Sequence, residues 1–212
     1  MSDDTERSDE LFEAATEMPQ SDLSLADDEK RRFRPFAWIG FFALVLAAIV
    51  APYWLGRDFA MNHTGQVLGV LTRFEPRGIA LVGWAVTLVA CTGLGMAVVQ
   101  TRQWSWRFVF VVGLAAEQFL SGVFLLRGNF WYVTYVVYGR YAQLANAGNL
   151  GIVAAGLGVA VFALAFVAIL VLIKKDSPLN VLTRSWAAFS MFFLIELMAL
   201  AIVLFGGVIT VV

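Results

Sequence analysis

The sequence predicts an all-α integral membrane protein with five transmembrane helices, its N-terminus in the cytoplasm and its C-terminus outside. Three observations support this prediction. Hydrophobic residues make up 60% of the 212-residue chain, whereas soluble domains lie closer to half apolar. The apolar residues fall into five long runs, each near or above the ~20 residues that a helix needs to cross a bilayer. The runs show no strand-like alternation, and only helices or closed barrels satisfy their backbone groups in hydrocarbon.

Residues 1–35 differ in composition from the rest of the chain. Eleven of the 16 acidic residues precede Lys30, and large apolar side chains are few. Such a segment buries too little apolar surface to offset the entropy of ordering, so it is predicted to be a disordered cytoplasmic tail, with or without a binding partner. The start "MSDDTERSDE" lacks the basic and apolar regions of a signal peptide, and the first apolar run is therefore predicted to be an uncleaved anchor.

The membrane domain is predicted to cover residues 36–212. Its five spans are expected at about 36–55, 79–99, 108–126, 150–173 and 187–212. All five prolines are expected in the tail, in loops or near helix ends, which favours spans without a kink at mid-membrane. The last span is longer than the hydrocarbon core requires, so it is expected to tilt or to bend at Gly206–Gly207.

The first four spans are predicted to form two hairpins, because residues 56–78 and 127–149 are outer connections of equal length. A parallel duplication, as in some transporters, is one interpretation. Poor identity between the two halves favours independent hairpins.

The orientation is predicted from the positive charges, which favour the cytoplasmic side. With the N-terminus inside, nine lysines and arginines from Lys30 to Arg184 lie in cytoplasmic segments, against five outside. The run "KRRFR" directly before the first span is the strongest part of this bias. All five tyrosines then fall on the outer side, where aromatic side chains collect at the membrane boundary.

Two carboxyl groups stand in the middle of predicted spans. Glu117 lies ten residues after Arg107, or ~15 Å along a helix, and Glu196 lies ten residues after Trp186. A charged carboxylate at the bilayer centre costs about 2.5–3.5 kcal/mol on insertion scales. No span contains a lysine, arginine or histidine, so both groups are expected to be protonated, and to titrate as a coupled pair if they meet.

Glu117 is expected to face protein, because it shares one helical stripe with Gly113 and Ser121. Two interpretations of the acids remain open. In the first, Glu117 and Glu196 relay protons or cations with help from Gln118 and Ser121. In the second, they are neutral groups that join helices by hydrogen bonds.

Other residues are assigned to packing or to the membrane boundary. Gly113, and the small pair Ala154 and Gly158, are expected to let helices approach closely. The second outer connection is predicted to hold an interfacial helix; its aromatic residues form either a belt or a platform for a sugar or lipid headgroup. These residues are Trp131, Tyr132, Tyr135, Tyr138 and Tyr141.

The remaining composition argues against several functional classes. One cysteine, Cys91, and one histidine, His63, are too few for a usual metal site, a two-histidine haem or a thiol redox centre, and no cofactor is predicted. The sequence has no basic patch with interleaved aromatic residues, so nucleic-acid binding is not predicted. Hydrolase, protease and nucleotide-binding motifs are missing, so an enzyme is not favoured.

Three functions follow from these observations. The first is an accessory or scaffold subunit of a cell-envelope membrane complex, packed against other integral membrane subunits or against copies of itself. The second is a small proton- or cation-coupled transporter that uses Glu117 and Glu196. The third is an enzyme that acts on lipid headgroups at the outer aromatic residues.

Overall fold

A computed structural model of the chain describes residues 35–100, 103–173, 177 and 185–209. The predicted acidic tail before Pro35 and the basic run "KRRFR" before the first span lie outside these residues. The chain divides into two units, residues 1–43 and 44–212. In the first unit, the ring of Trp38 packs edge-on against Phe41 and at a tilt against Phe42. The second unit contains the helix bundle.

The described residues form helices joined by short turns, and no strand occurs among them. A 3-10 turn at Gly139–Tyr141 links two of the helices. The α-helices in chain order are α1 Pro35–Asn62, α2 Thr64–Leu71, α3 Pro76–Val99, α4 Trp104–Val123, α5 Phe130–Tyr138, α6 Ala142–Leu172 and α7 Ser185–Phe205.

Five of these helices, α1, α3, α4, α6 and α7, are long and apolar enough to cross a membrane. The predicted all-α class is confirmed for the described residues, as is the prediction of five helices long and apolar enough to span a membrane. Each of the first two long pairs encloses a short helix, α2 between α1 and α3 and α5 between α4 and α6. The two predicted outer connections are therefore largely helical.

α1 is longer than the predicted first span and continues to Asn62. Pro52 consequently lies inside the helix, and the expectation that every proline lies outside helices or near their ends is wrong. A proline has no N–H to donate and leaves one carbonyl of the preceding turn without its helical partner. The extra turns past Leu55 carry Asp58 and Asn62, whose side chains hydrogen-bond at 2.6 Å across one turn.

α6 begins at Ala142, eight residues before the predicted start at Leu150. The stretch "ANAGN" has the composition of a loop, but its two asparagines are buried and hydrogen-bonded inside the fold. The helix therefore runs for 31 residues, or ~46 Å. α7 ends at Phe205, seven residues before the predicted end of the fifth span at residue 212. Gly207 has a φ of 77°, so the chain turns at the pair Gly206–Gly207.

α3 is the central helix and packs against α4, α6 and α7. Glycines line the contacts, because helix association in a membrane depends on close backbone approach. A Cβ atom on Gly83 would come within 2.5 Å of the Gly148 carbonyl oxygen, and one on Gly151 would overlap the Ala80 carbonyl. α1 and α4 meet in the same way at Gly56 and Gly122.

Substitution of Gly151 by alanine tests whether this close approach stabilises the bundle. The added methyl group would meet backbone atoms of Ala80 that cannot rotate away. We expect G151A to lower the free energy of unfolding in detergent by about 1–3 kcal/mol, the usual cost of overpacking.

Gly156→Ala is the matched control, since Gly156 lies on the same helix with nothing within 4 Å of its added Cβ. We expect G156A to leave the thermal midpoint unchanged or slightly raised. Equal midpoints for the two variants would contradict the close approach of α3 and α6.

Candidate functional site

Glu196 on α7 is completely buried in the bundle. Its Oε2 atom accepts a hydrogen bond of 3.1 Å from the indole Nε1 of Trp84 on α3. Its Oε1 atom has no hydrogen-bond partner among the described residues. The carboxyl group lies directly against Gly158 of α6, where a Cβ atom would come within 2.6 Å of Oε1. Glu196 therefore lies where α3, α6 and α7 meet. A residue larger than glycine at position 158 of α6 would occupy the space of its carboxyl group.

Glu117 on α4 has a different environment. It is partly exposed, and its Oε2 atom accepts a hydrogen bond of 2.9 Å from the Gln118 amide. Its Oε1 atom accepts a bond of 3.3 Å from the Ser121 hydroxyl, one turn further along the helix. Three of the four residues predicted to form a relay are therefore joined on one helix, and Glu196 is not among their hydrogen-bond partners. The carboxyl lies at the edge of the α3–α4 contact, between buried Gly113 and buried Ser121.

The two acids use separate hydrogen-bond partners. α3 packs against the helices that carry the two carboxyls, α4 and α7. The two acids therefore lie on two helices that both contact α3. Cys91 also lies on α3, where it is half-buried.

The predicted packing residues lie at helix contacts. Gly113 faces Ala90 of α3, and a Cβ atom added there would come within 3.1 Å of the Ala90 backbone. Ala154 is buried in an apolar cluster together with Leu200 and Val203 of α7. Gly158 faces Glu196, as described above. All three positions are small because a neighbouring helix occupies the space of a side chain.

The aromatic residues predicted for the outer side do not share one exposed face. Trp131, Tyr132 and Tyr135 are exposed on α5, whereas Tyr141 is half-buried. Tyr138 is buried, and its hydroxyl donates a hydrogen bond to the Val123 carbonyl at the end of α4. Three of the five aromatic residues therefore remain for contact with lipid or a headgroup.

A second buried polar cluster joins α4, α5 and α6. Thr134 donates a 2.7 Å hydrogen bond to Asn146, and the Asn149 amide donates a 2.8 Å bond to the Phe124 carbonyl. Tyr138 and Asn149 thus donate to the carbonyls of Val123 and Phe124 at the end of α4, which a helix end leaves without partners. The Oδ1 atom of Asn149 has no partner among the described residues. This cluster fixes the turn after α4, in which Leu125 has a φ of 57°.

Two residues of these clusters, Trp84 and Asn149, belong to no recognisable sequence motif. Trp84 forms its bond with a residue 112 positions away. The available signal is its place inside a span, away from the membrane boundary, because an indole N–H in hydrocarbon requires an acceptor. Asn149 has a similar signal, as a polar amide directly before a glycine-rich apolar run.

A metal centre finds no support in the part of the chain that the structure describes, since no group of three or more His, Cys, Asp or Glu side chains is close enough to hold an ion. His63 instead lies between α1 and α2 and stacks on Phe59, with ring centroids 5.1 Å apart. Comparison of the chain with protein-family models, with curated proteins and with solved structures gives no match. The functional argument therefore depends on the geometry.

Trp84→Phe tests the buried hydrogen bond to Glu196. The phenyl ring keeps most of the packing but leaves Oε2 of a completely buried carboxyl without a donor. We expect W84F to reduce the free energy of unfolding by about 1–3 kcal/mol. Trp186→Phe is the control, because Trp186 is an exposed tryptophan at the start of α7.

The double variant W84F/E196M removes both polar partners with little change in volume. We expect it to recover part of the lost stability, since replacing both members of a buried pair by apolar groups is nearly neutral. If the double variant loses as much unfolding free energy as W84F and E196M lose together, a direct Trp84–Glu196 interaction is contradicted.

Proposed function

We propose that this chain is an accessory or scaffold subunit of a membrane complex, and that the Glu117 edge of α4 packs against a helix of another subunit. The observation that carries the proposal is the partial exposure of Glu117 inside a helix long enough to span the membrane, six residues before that helix ends at Val123. Ionisable residues within membrane spans almost always face protein or a water-filled cavity. A partner helix would complete the environment of this carboxyl and of the neighbouring Gln118.

The partner is either another integral membrane protein or a second copy of this chain. Ala116 and Val112 are exposed on the same helix as Glu117, so a partner there would meet a small residue beside a polar one. Small and polar residues are the side chains that helix contacts in membranes use most. The bonds from Gln118 and Ser121 keep the carboxyl satisfied before the partner arrives.

A photoreactive amino acid at position 116 tests this proposal in native membranes. We expect it to cross-link to a membrane protein, and we expect Glu117→Leu to lower the yield about threefold or more, since interhelical polar contacts contribute about 0.6–1.7 kcal/mol. The same probe at Leu157, an exposed position on α6, is the matched control.

Glu117→Gln should retain the cross-link, because the amide keeps an acceptor and a donor. Cross-links to lipid only from position 116, or a yield that E117L leaves unchanged, would contradict a subunit contact at this edge.

The orientation that completes this proposal has the N-terminus in the cytoplasm, the C-terminus outside and the chain in the cell membrane. It is supported by the positive charges before the first span. In a Cys91→Ser background, we expect a membrane-impermeant maleimide added to intact cells to label Thr72→Cys, an exposed position after α2, and not Ser2→Cys. Labelling of Ser2→Cys from outside would reverse the topology.

A second candidate function, proton- or cation-coupled transport, is favoured by the unpartnered Oε1 atom of buried Glu196. A buried acceptor without a partner is costly and calls for a proton, a water molecule or a cation. In proteoliposomes containing a pH-sensitive dye, transport through Glu196 predicts flux that Glu196→Gln abolishes. Glu75→Gln, at an exposed acid before α3, should leave that flux unchanged. Equal flux in wild type and E196Q would exclude this role for Glu196.

A further inference from the structure

An apolar groove lies among α1, α2, α3 and α4, and neither Glu117 nor Glu196 lines it. Its volume is about 280 Å³, and every residue that lines it is apolar. Buried side chains form its floor, among them Ile79, Val123 and Phe124. Exposed side chains form its rim, including Phe59, Phe74 and Phe119. The groove is thus concave, with three aromatic rings at its edge.

The lining decides the chemistry of an occupant. An N–H or hydroxyl group placed in this groove would lose its hydrogen bonds to water and gain none, at a cost of several kcal/mol. The volume lies just below the ~300 Å³ at which pockets for drug-sized ligands begin. A single hydrocarbon chain satisfies both conditions. α1, α3 and α4 can each cross a membrane, so lipid chains surround the groove wherever the protein is embedded.

Charge at the end of the groove selects the headgroup. Arg73 lies in the turn after α2, between Leu71 and Phe74, which both line the groove. Its side chain is exposed, with no ion pair or ring contact among the described residues. Two other arginines at this end are engaged, Arg57 over the ring of Trp54 and Arg77 over that of Phe205.

The acids at this end are fewer than the arginines. They are Asp58, which accepts a bond from Asn62, and Glu75. The excess of positive charge and the unengaged arginine favour an anionic group beside the groove.

We propose that the groove between α1, α2, α3 and α4 binds one acyl chain of an anionic phospholipid, whose headgroup phosphate pairs with Arg73. α2 closes the end of the groove through buried Val67 and Leu71, so the chain enters from the side, past the exposed rim residues Val70 and Val82. The lipid would then hold α2 against the ends of α1 and α3.

The test is native mass spectrometry of the full-length protein in mild detergent, after addition of phosphatidylglycerol or phosphatidylcholine with identical acyl chains. We expect one phosphatidylglycerol to remain bound to the wild-type protein. Val82→Trp should fill the groove and remove it. Leu81→Trp is the matched control, because Leu81 is the neighbouring residue, exposed to a similar extent and not part of the lining.

Arg73→Gln should lower the preference for phosphatidylglycerol over phosphatidylcholine about fivefold, the factor that one arginine near a membrane surface contributes. Arg127→Gln, at an exposed arginine after α4, should leave the preference unchanged. Thermal midpoints in detergent check that V82W and L81W are folded. Val70→Trp offers a second way to fill the groove if V82W is not.

Three results would overturn the proposal. The first is lipid retention that V82W and V70W leave unchanged, and the second is retention that L81W abolishes equally. The third is loss of a protein dimer, rather than of lipid, in V82W, which would make the groove an interface between copies of the chain.

Discussion

The backbones of α3 and α6 touch where Gly83 meets Gly148 and again where Gly151 meets Ala80. No side chain separates the two helices at these points, and dispersion between backbone atoms replaces the hydrophobic effect, which does not act between helices in lipid. The close contact also fixes how α3 is turned about its axis. Trp84 lies beside Gly151, and its indole reaches across to α7. The position of Glu196 thus depends on glycines in another pair of helices.

The two intramembrane acids show how the same residue type acquires different roles from its surroundings. Glu196 is enclosed by three helices and has one donor, so its environment is complete in this chain except at Oε1. Glu117 has donors for both oxygens but remains partly exposed. The enclosed Oε1 atom of Glu196 has room only for a small partner such as a proton, a water molecule or a cation, and the transport alternative is based on it. The partly exposed carboxyl of Glu117 instead leaves a surface for another helix to cover, and the proposed subunit function is based on that surface.

Much of the fold is predictable from the sequence because lipid imposes a single strong constraint. Five long apolar runs must be helices, and five such helices occur. The stripe of Gly113, Glu117 and Ser121 is also local, since its members lie on one helix. The Trp84–Glu196 bond is not local: it joins residues 112 positions apart, and no periodicity along one helix reveals the partner on another. The start of α6 at Ala142 is not predictable from the sequence for a related reason. Asn146 and Asn149 are typical loop residues, and their partners Thr134 and Phe124 are known only from the structure.

The distance along the chain between Trp84 and Glu196 also sets an order of assembly. A ribosome that adds about 5–20 residues per second needs about 6–22 seconds to make the chain that separates them. Once α6 has been made, α3 and α6 can join at their glycines, while the indole N–H of Trp84 and the space beside Gly158 still lack α7. α7 therefore completes a site that α3 and α6 have already shaped, and without α7 the indole N–H of Trp84 and the space beside Gly158 would lack the Glu196 carboxyl that occupies them.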